Sequence, residues 1–369
     1  MSRLSRQVRR RHPTWPALVR AQAKVAIGLA AAYDGPVFGR LARVLGGSVR
    51  EDDASVAGLP AFVYRPGRGA GPWPATVLFP GVTRRGRTHP ALRAIGRGLA
   101  GAGRLAILVE PEGLPFGELT PTAGQQARAA IETVASRRDV ADGSTALVGV
   151  SGGATLALLA ASDRSLRDRV SLVLVVAPLN DVSEAIRYIT TDVRRDGDAL
   201  TPFVSGDFFK LVIARSVIAC LQPGSDRTAL RSHLLALDDY GLEPLSGLRA
   251  WPRGRLDEPA RAAVALLSNA APDRFDELFA ALPESLRAAV NALSPITVAS
   301  EITAPVELVV AGADKYIPLA DAISFAKACP TARLTVLESL THVVPTVSLT
   351  GARDLARLDG VLVRLLATS

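Results

Sequence analysis

Cysteine, histidine and lysine are scarce in this chain, and each scarcity narrows what it can be. Two cysteines in 369 residues, Cys220 and Cys329, make no disulfide framework and no thiolate cluster for a metal. Four scattered histidines add no ligand set, so neither a metal nor an organic cofactor is expected. The cysteine usage fits a reducing compartment, and a cytoplasmic location is the expectation. Long apolar runs are missing too: none approaches the ~20 residues needed to cross a bilayer. Lysine occurs four times, at 24, 210, 315 and 327, so 39 of the 43 basic residues are arginine, a mark of genome composition rather than of function.

Acidic residues are absent from the first 33 positions. That stretch holds Arg3, Arg6, Arg9, Arg10, Arg11, Arg20 and Lys24, seven of the eight net positive charges, which leaves +1 for residues 34–369. The basic character therefore belongs to the tail, and the body offers no basic footprint for nucleic acid. Within the tail, Trp15, Leu18, Val19, Val25, Ala26, Leu29 and Tyr33 recur at helical spacing, with Gln22 interrupting the apolar face. The favoured reading is a helix over 14–33 docked on its own domain. The other reading is a peripheral contact of residues 1–33 with an anionic membrane surface. Lys24 interrupts the apolar stretch and no Ala-x-Ala site follows, so a secretory signal is not expected.

What remains is ordinary globular material, 48% hydrophobic and 21% charged. From residue 47 strands alternate with helices. A hairpin is expected over 48–56 and 61–65. Short apolar strands are expected over 75–79, 105–109, 145–150, 170–176, 306–310 and 333–337, with helices over 122–137, 319–328 and 354–366. Near-continuous Val, Leu and Ile strands separated by helices indicate a parallel sheet covered on both faces. Between Leu179 and about Ser300 the strand signal disappears. Helical segments near 183–193, 207–221, 226–238, 258–269, 273–282 and 284–293, punctuated by prolines, read as a helical cap inserted after the sixth core strand. The organisation is then a basic N-terminal segment (1–46), a core (47–180 and 300–369) and the cap (181–299).

The most informative stretch is Gly149-Val150-Ser151-Gly152-Gly153, which follows the apolar run Thr145–Val148 and precedes the helix-forming Ala154–Ala161. A Gly-x-Ser-x-Gly set between strand and helix is a nucleophile elbow, and glycine at 149 and 153 lets the two elements pass close together. A serine hydroxyl needs a base, and the base an orienting acid. In the order serine, acid, histidine the base follows the last strand, and His342 occupies that place; His12, His89 and His233 do not. Asp314 leaves the preceding strand in Gly312-Ala313-Asp314, closed by Pro318, with Asp181 as a weaker alternative acid. Capping of the following helix is the plainer role for Asp314. Charge developing on a substrate carbonyl needs two donors. The backbone N–H of Gly152 is one, and Val82, in Phe79-Pro80-Gly81-Val82, is the choice for the other.

Those four pieces, in that order and near that spacing, resemble the α/β-hydrolase-fold serine hydrolases, the esterase- and lipase-like superfamily. Pro80 departs from the histidine that many members carry before the oxyanion glycine. The resemblance implies an α/β-hydrolase fold, a Ser151–His342–Asp314 triad and cleavage of a carboxylic ester or thioester through an acyl-enzyme. It leaves the cap unmatched, and with it the choice of substrate, for which a small, apolar acyl compound is expected. An acyltransferase with the same triad and a non-catalytic hydrolase-like binding scaffold are the alternatives. Members with aspartate in place of the serine, the haloalkane dehalogenases and epoxide hydrolases, are disfavoured. In the cap, Phe203, Phe208, Phe209, Leu211, Val212, Ile213, Phe275 and Phe279 either line an acyl site or form the cap's own core, and the second is favoured.

Overall fold

Two adjacent residues with positive φ, Ala57 (52°) and Gly58 (81°), turn β1 (Arg50–Val56) back on β2 (Leu59–Arg65). That conformation at both turn positions matches the twist of a two-residue hairpin. The computed structural model describes residues 21–28, 47–345 and 351–368. After the hairpin come β3 (Trp73–Phe79), α1 (Pro90–Gly101), β4 (Leu105–Val109), α2 (Pro121–Ala135), β5 (Val140–Val150), α3 (Gly152–Ala161) and β6 (Val170–Val176). An insert follows, and the chain returns to the sheet with β9 (Val306–Ala311).

The insert comprises α4 (Val182–Thr191), β7 (Val193–Asp196), β8 (Ala199–Pro202), α5 (Asp207–Ala219), α6 (Ser225–Ala236), α7 (Ser246–Arg249), α8 (Glu258–Leu267), α9 (Phe275–Ala280) and α10 (Glu284–Asn291). Beyond β9 lie α11 (Leu319–Ala328), β10 (Ala332–Leu337), the short pair β11 (Leu340–Thr341) and β12 (Val344–Pro345), and α12 (Gly351–Ala367).

Eight strands make one sheet in the order β1-β2-β4-β3-β5-β6-β9-β10. β2 runs antiparallel to both its neighbours, and the rest is parallel. Strand alternation divides the buried side chains between two faces. Val77, Ile107, Leu147, Val173 and Leu308 join one apolar cluster with α2, α3, α11 and much of the insert. Leu78, Leu108, Val148, Leu174 and Val309 join another with α1 and α12. Both faces are covered, which is why these strands read as continuous apolar runs.

Two elements depart from the sequence expectations, and a third finding concerns the N-terminal segment. Helix α1 was not anticipated, because Gly96, Gly98 and Gly101 lower its helix propensity. Gly96 is there for close approach: a Cβ at that position would lie 2.5 Å from the Tyr64 ring, which fills that space. The hairpin β7–β8 inside the insert was also unforeseen, since Val193-Arg194-Arg195-Asp196 carries no apolar alternation. Gln22, the interruption on the N-terminal apolar face, donates its amide to Asp359 of α12 at 2.8 Å, while Ala21 and Val25 enter the cluster on that face. The described part of that segment is thus docked on the domain; residues 1–20 and 29–33 lie outside the described residues. No described helix is long and apolar enough to cross a membrane.

Candidate active site

The sharp turn from β5 into α3 puts Ser151 at φ 50°, ψ −123°, a strained backbone state for a residue with a Cβ. Its own N–H is held by Val176 O of β6 at 2.8 Å. Two glycines permit the turn. A Cβ at Gly149 would lie 2.5 Å from Ala154 Cα, and one at Gly153 would lie 2.2 Å from Pro80 O. The loop after β3 therefore rests directly on the elbow. Val82 Cγ2 stands 2.6 Å from where a Gly152 Cβ would be, and Val82 N stands 3.8 Å from it. The two amides chosen from sequence thus lie on touching segments. That of Gly152 opens α3 and has no partner within the helix.

Asp314 sits in the turn after β9. Its Oδ1 accepts from Tyr316 N at 2.8 Å and from Ile317 N at 3.3 Å, which fixes the carboxylate, and its Oδ2 lies 2.8 Å from His342 Nδ1. Its role as cap of α11 is not realised: the N-cap there is Pro318. His342 occupies the turn between β11 and β12 with φ 58°. Its Nε2 lies 3.1 Å from Ser151 Oγ. The carboxylate fixes the tautomer with the proton on Nδ1, which leaves Nε2 to accept from the serine hydroxyl. The imidazole is further held by the Tyr316 ring, perpendicular to it at 5.0 Å between centroids. From the other side, Asp354 of α12 accepts from Ser339 N at 2.7 Å and ties down the start of the histidine loop.

The residues passed over from sequence go elsewhere. Asp181 accepts from Glu184 N and caps α4, far from the role of an alternative acid. His89 caps α1 by accepting from Ala91 N. His233 packs edge-on against Trp251 inside the insert. His12 lies outside the described residues. Among the described residues no group of three or more His, Cys, Asp or Glu is arranged to hold a metal ion.

A narrow cleft, partly open to solvent, begins at Ser151, Gly152 and His342. Its walls are Val82, Leu119 and Leu179 from the core, Val182 and Leu293 from the two ends of the insert, and Phe208, Phe209, Val212, Ile213 and Ser216 from α5, with Tyr316 between. Ser216 brings no free polar group, since its hydroxyl donates to Val212 O and accepts from Leu119 N. The insert's apolar candidates therefore divide. Phe208, Phe209, Val212 and Ile213 line the cavity, Phe209 and Ile213 also belonging with Leu211 to the apolar core, whereas Phe203 packs on Tyr188 and Phe275 stacks with Phe279. Tyr316 was missed in the sequence, though its place two residues after Asp314 was a usable signal.

Behind the acid, Asp321 in the first turn of α11 has a buried Oδ2 with no hydrogen-bond partner. Burial pushes its carboxyl up to about 8, and the charges of Glu184 and Asp181 push the same way. The unfolded chain ionises this group near 3.8. The neutral carboxyl therefore supports the fold fully below pH 4, and that support is lost as pH rises toward 8. Asp321→Asn is expected to raise stability at pH 8 by on the order of 1–2 kcal/mol and to change it little at pH 4. Thermal unfolding at the two pH values checks this; equal effects at both would contradict it.

The strand order, the antiparallel second strand, the elbow between β5 and α3 and the insert after β6 define an α/β-hydrolase fold. No protein-family model matches the chain, and no curated protein matches it in sequence. Among solved structures it is similar to Est1E from Butyrivibrio proteoclasticus, at 14% identity over 86% of this chain and 99% of that one, with a TM-score of 0.49. It is also similar to EstE1, a thermostable carboxylesterase cloned from a metagenomic library, at 17% identity over 96% and 99% of the two chains and a TM-score of 0.45. Dipeptidyl peptidase 4 of Porphyromonas gingivalis shares 12% identity over 89% of this chain and 37% of that one, with a TM-score of 0.49. These likenesses lend no residue a role.

Proposed function

We propose that the protein is a serine hydrolase that cleaves a carboxylic ester or thioester with an apolar acyl group. The observation that carries this reading is the continuous chain from Asp314 Oδ2 to His342 Nδ1 (2.8 Å) and from His342 Nε2 to Ser151 Oγ (3.1 Å). His342 takes the serine proton as Ser151 attacks the acyl carbon. The carbonyl oxygen becomes an oxyanion and accepts from the N–H groups of Gly152 and Val82. Collapse expels the alcohol or thiol, which receives the proton from His342. Water then attacks the acyl-enzyme with His342 again as base, and the carboxylic acid leaves. Asp314 stabilises the imidazolium at each stage.

The substrate class follows from the cavity wall, which carries no charged side chain beside the reacting groups. A charged acyl chain would be desolvated there without a partner. The test is a panel of p-nitrophenyl esters from acetate to dodecanoate, with matched thioesters, amides and an acidic acyl analogue, run with and without excess alcohol acceptor. Neutral apolar esters are expected to turn over and the acidic analogue to be a poor substrate. Transfer to the alcohol in preference to water would shift the reading to an acyltransferase. Absence of both turnover and labelling by a fluorophosphonate would leave only a binding scaffold.

A further inference from the structure

The oxyanion loop is tied to the insert by three side chains that the chemistry above does not use. Arg84, two residues after Val82, donates from Nε to Asp239 Oδ2 at 2.7 Å and from Nη2 to Asp239 Oδ1 and Leu237 O, both at 3.3 Å. Asp239, in the loop after α6, also accepts at Oδ1 from Arg215 Nη1 at 2.7 Å. Arg215 lies on α5 with its side chain 2% exposed, and its remaining donors go to Leu234 O and Leu237 O. Burial, the largest influence on the Asp239 carboxyl, pushes it up, but the hydrogen bonds from Arg84 and Arg215 outweigh it and hold the group below the usual carboxylate range. One carboxylate thus joins an exposed arginine of the oxyanion loop to a buried arginine of the insert.

Arg215 shares α5 with the cavity wall. Its neighbour Ser216 and, one turn earlier, Val212 face the space beside Ser151. The oxyanion loop is anchored at its far end as well, where Arg87 N donates to Glu110 and Gly86 N to Thr83 O. Val82 lies between that anchor and the elbow, and Arg84 carries the tether to the insert. The oxyanion donor and the acyl-pocket helix are therefore fastened to each other through Asp239.

We infer that Arg84, Asp239 and Arg215 are positioning residues that hold the Val82 N–H at a fixed distance from the pocket wall formed by α5. The inference rests on the hydrolase reading of the site. A donor held by a tether stabilises the developing oxyanion without reorganising, so loosening the tether weakens the transition state more than the ground state.

Arg84→Ala is the variant of choice, because the Arg84 side chain is 60% exposed and its removal leaves Asp239 paired with buried Arg215. It is expected to lower kcat for a neutral ester about fivefold, the size an exposed ion pair carries, with KM within about twofold and Tm unchanged. Arg84→Lys, which keeps the charge but loses the two-pronged contact, is expected to recover part of kcat. Added salt should lower the wild-type kcat toward that of Arg84→Ala and leave the variant flat. Asp239→Asn, which strands Arg215, should lose kcat and Tm together. Unchanged kcat in Arg84→Ala, with the wild type still labelled at Ser151 by fluorophosphonate, overturns the inference alone. A kcat loss in Arg84→Ala that tracks a fall in Tm, or that Lys does not relieve, marks a structural tether and also overturns it. If the wild type shows neither label nor turnover, the hydrolase reading fails and the inference falls with it.

Discussion

Replacing Ser151 with alanine is expected to reduce ester turnover by roughly 10⁵–10⁶-fold and to abolish fluorophosphonate labelling, while leaving the fold as stable as before. Alanine keeps the Cβ, so the backbone state at φ 50° is no more strained in the variant than in the parent. The lost Oγ has His342 Nε2 as its hydrogen-bond partner at 3.1 Å. A large loss of activity without a loss of Tm therefore separates chemistry from folding. His342→Ala should fall within the same range. The sharper test is the double variant: because the serine becomes a nucleophile only by giving its proton to the base it touches, removing both should cost about as much as removing either. Losses that multiply would mean that the two side chains act independently and would defeat the triad. Asp314→Asn is expected to lose less, on the order of 10⁴-fold, since the imidazole remains but in the wrong tautomer.

How much of this was legible in advance depended on the range of the interactions involved. The parallel strands announced themselves because both sheet faces are buried, so Val170–Val176 reads as one apolar run. The elbow was legible because a sharp strand–helix turn needs small residues at fixed offsets, and Gly149 and Gly153 supply them. Asp314 and His342 could be placed by strand order, and the fold brings them to Ser151 from 163 and 191 residues away. Helix α1 escaped because Gly96 answers to Tyr64 on a neighbouring strand, and nothing local signals that contact. The division of the insert's phenylalanines escaped for a related reason. Phe208 and Phe209 are adjacent on α5 and both meet the cavity, whereas Phe275 and Phe279 satisfy each other one turn apart. The Arg84–Asp239 contact spans 155 residues between two loops and has no pattern in the chain at all.

Gly153→Ala is expected to damage both the fold and the site, and the cause is a single methyl group. Its Cβ would lie 2.2 Å from Pro80 O and 2.4 Å from Phe79 O. Both are backbone atoms at the end of β3, which is locked between β4 and β5 in the sheet. No side chain is available to swing aside, so strand and helix must separate. Overpacking against backbone is expected to cost roughly 3–5 kcal/mol. The same separation lifts the loop carrying Val82 away from Gly152, so the surviving folded protein should turn over about 10²–10³-fold more slowly, the size of a lost oxyanion donor. Gly124→Ala is the matched control. It lies in α2 with nothing within 4 Å of its Cβ position, and the methyl group there should stabilise by about 0.5–1 kcal/mol. Chemical denaturation and ester kinetics on the two variants check the argument together. A Gly153→Ala protein with wild-type stability and rate would show that the loop after β3 does not rest on the elbow, and the placing of both oxyanion donors would go with it.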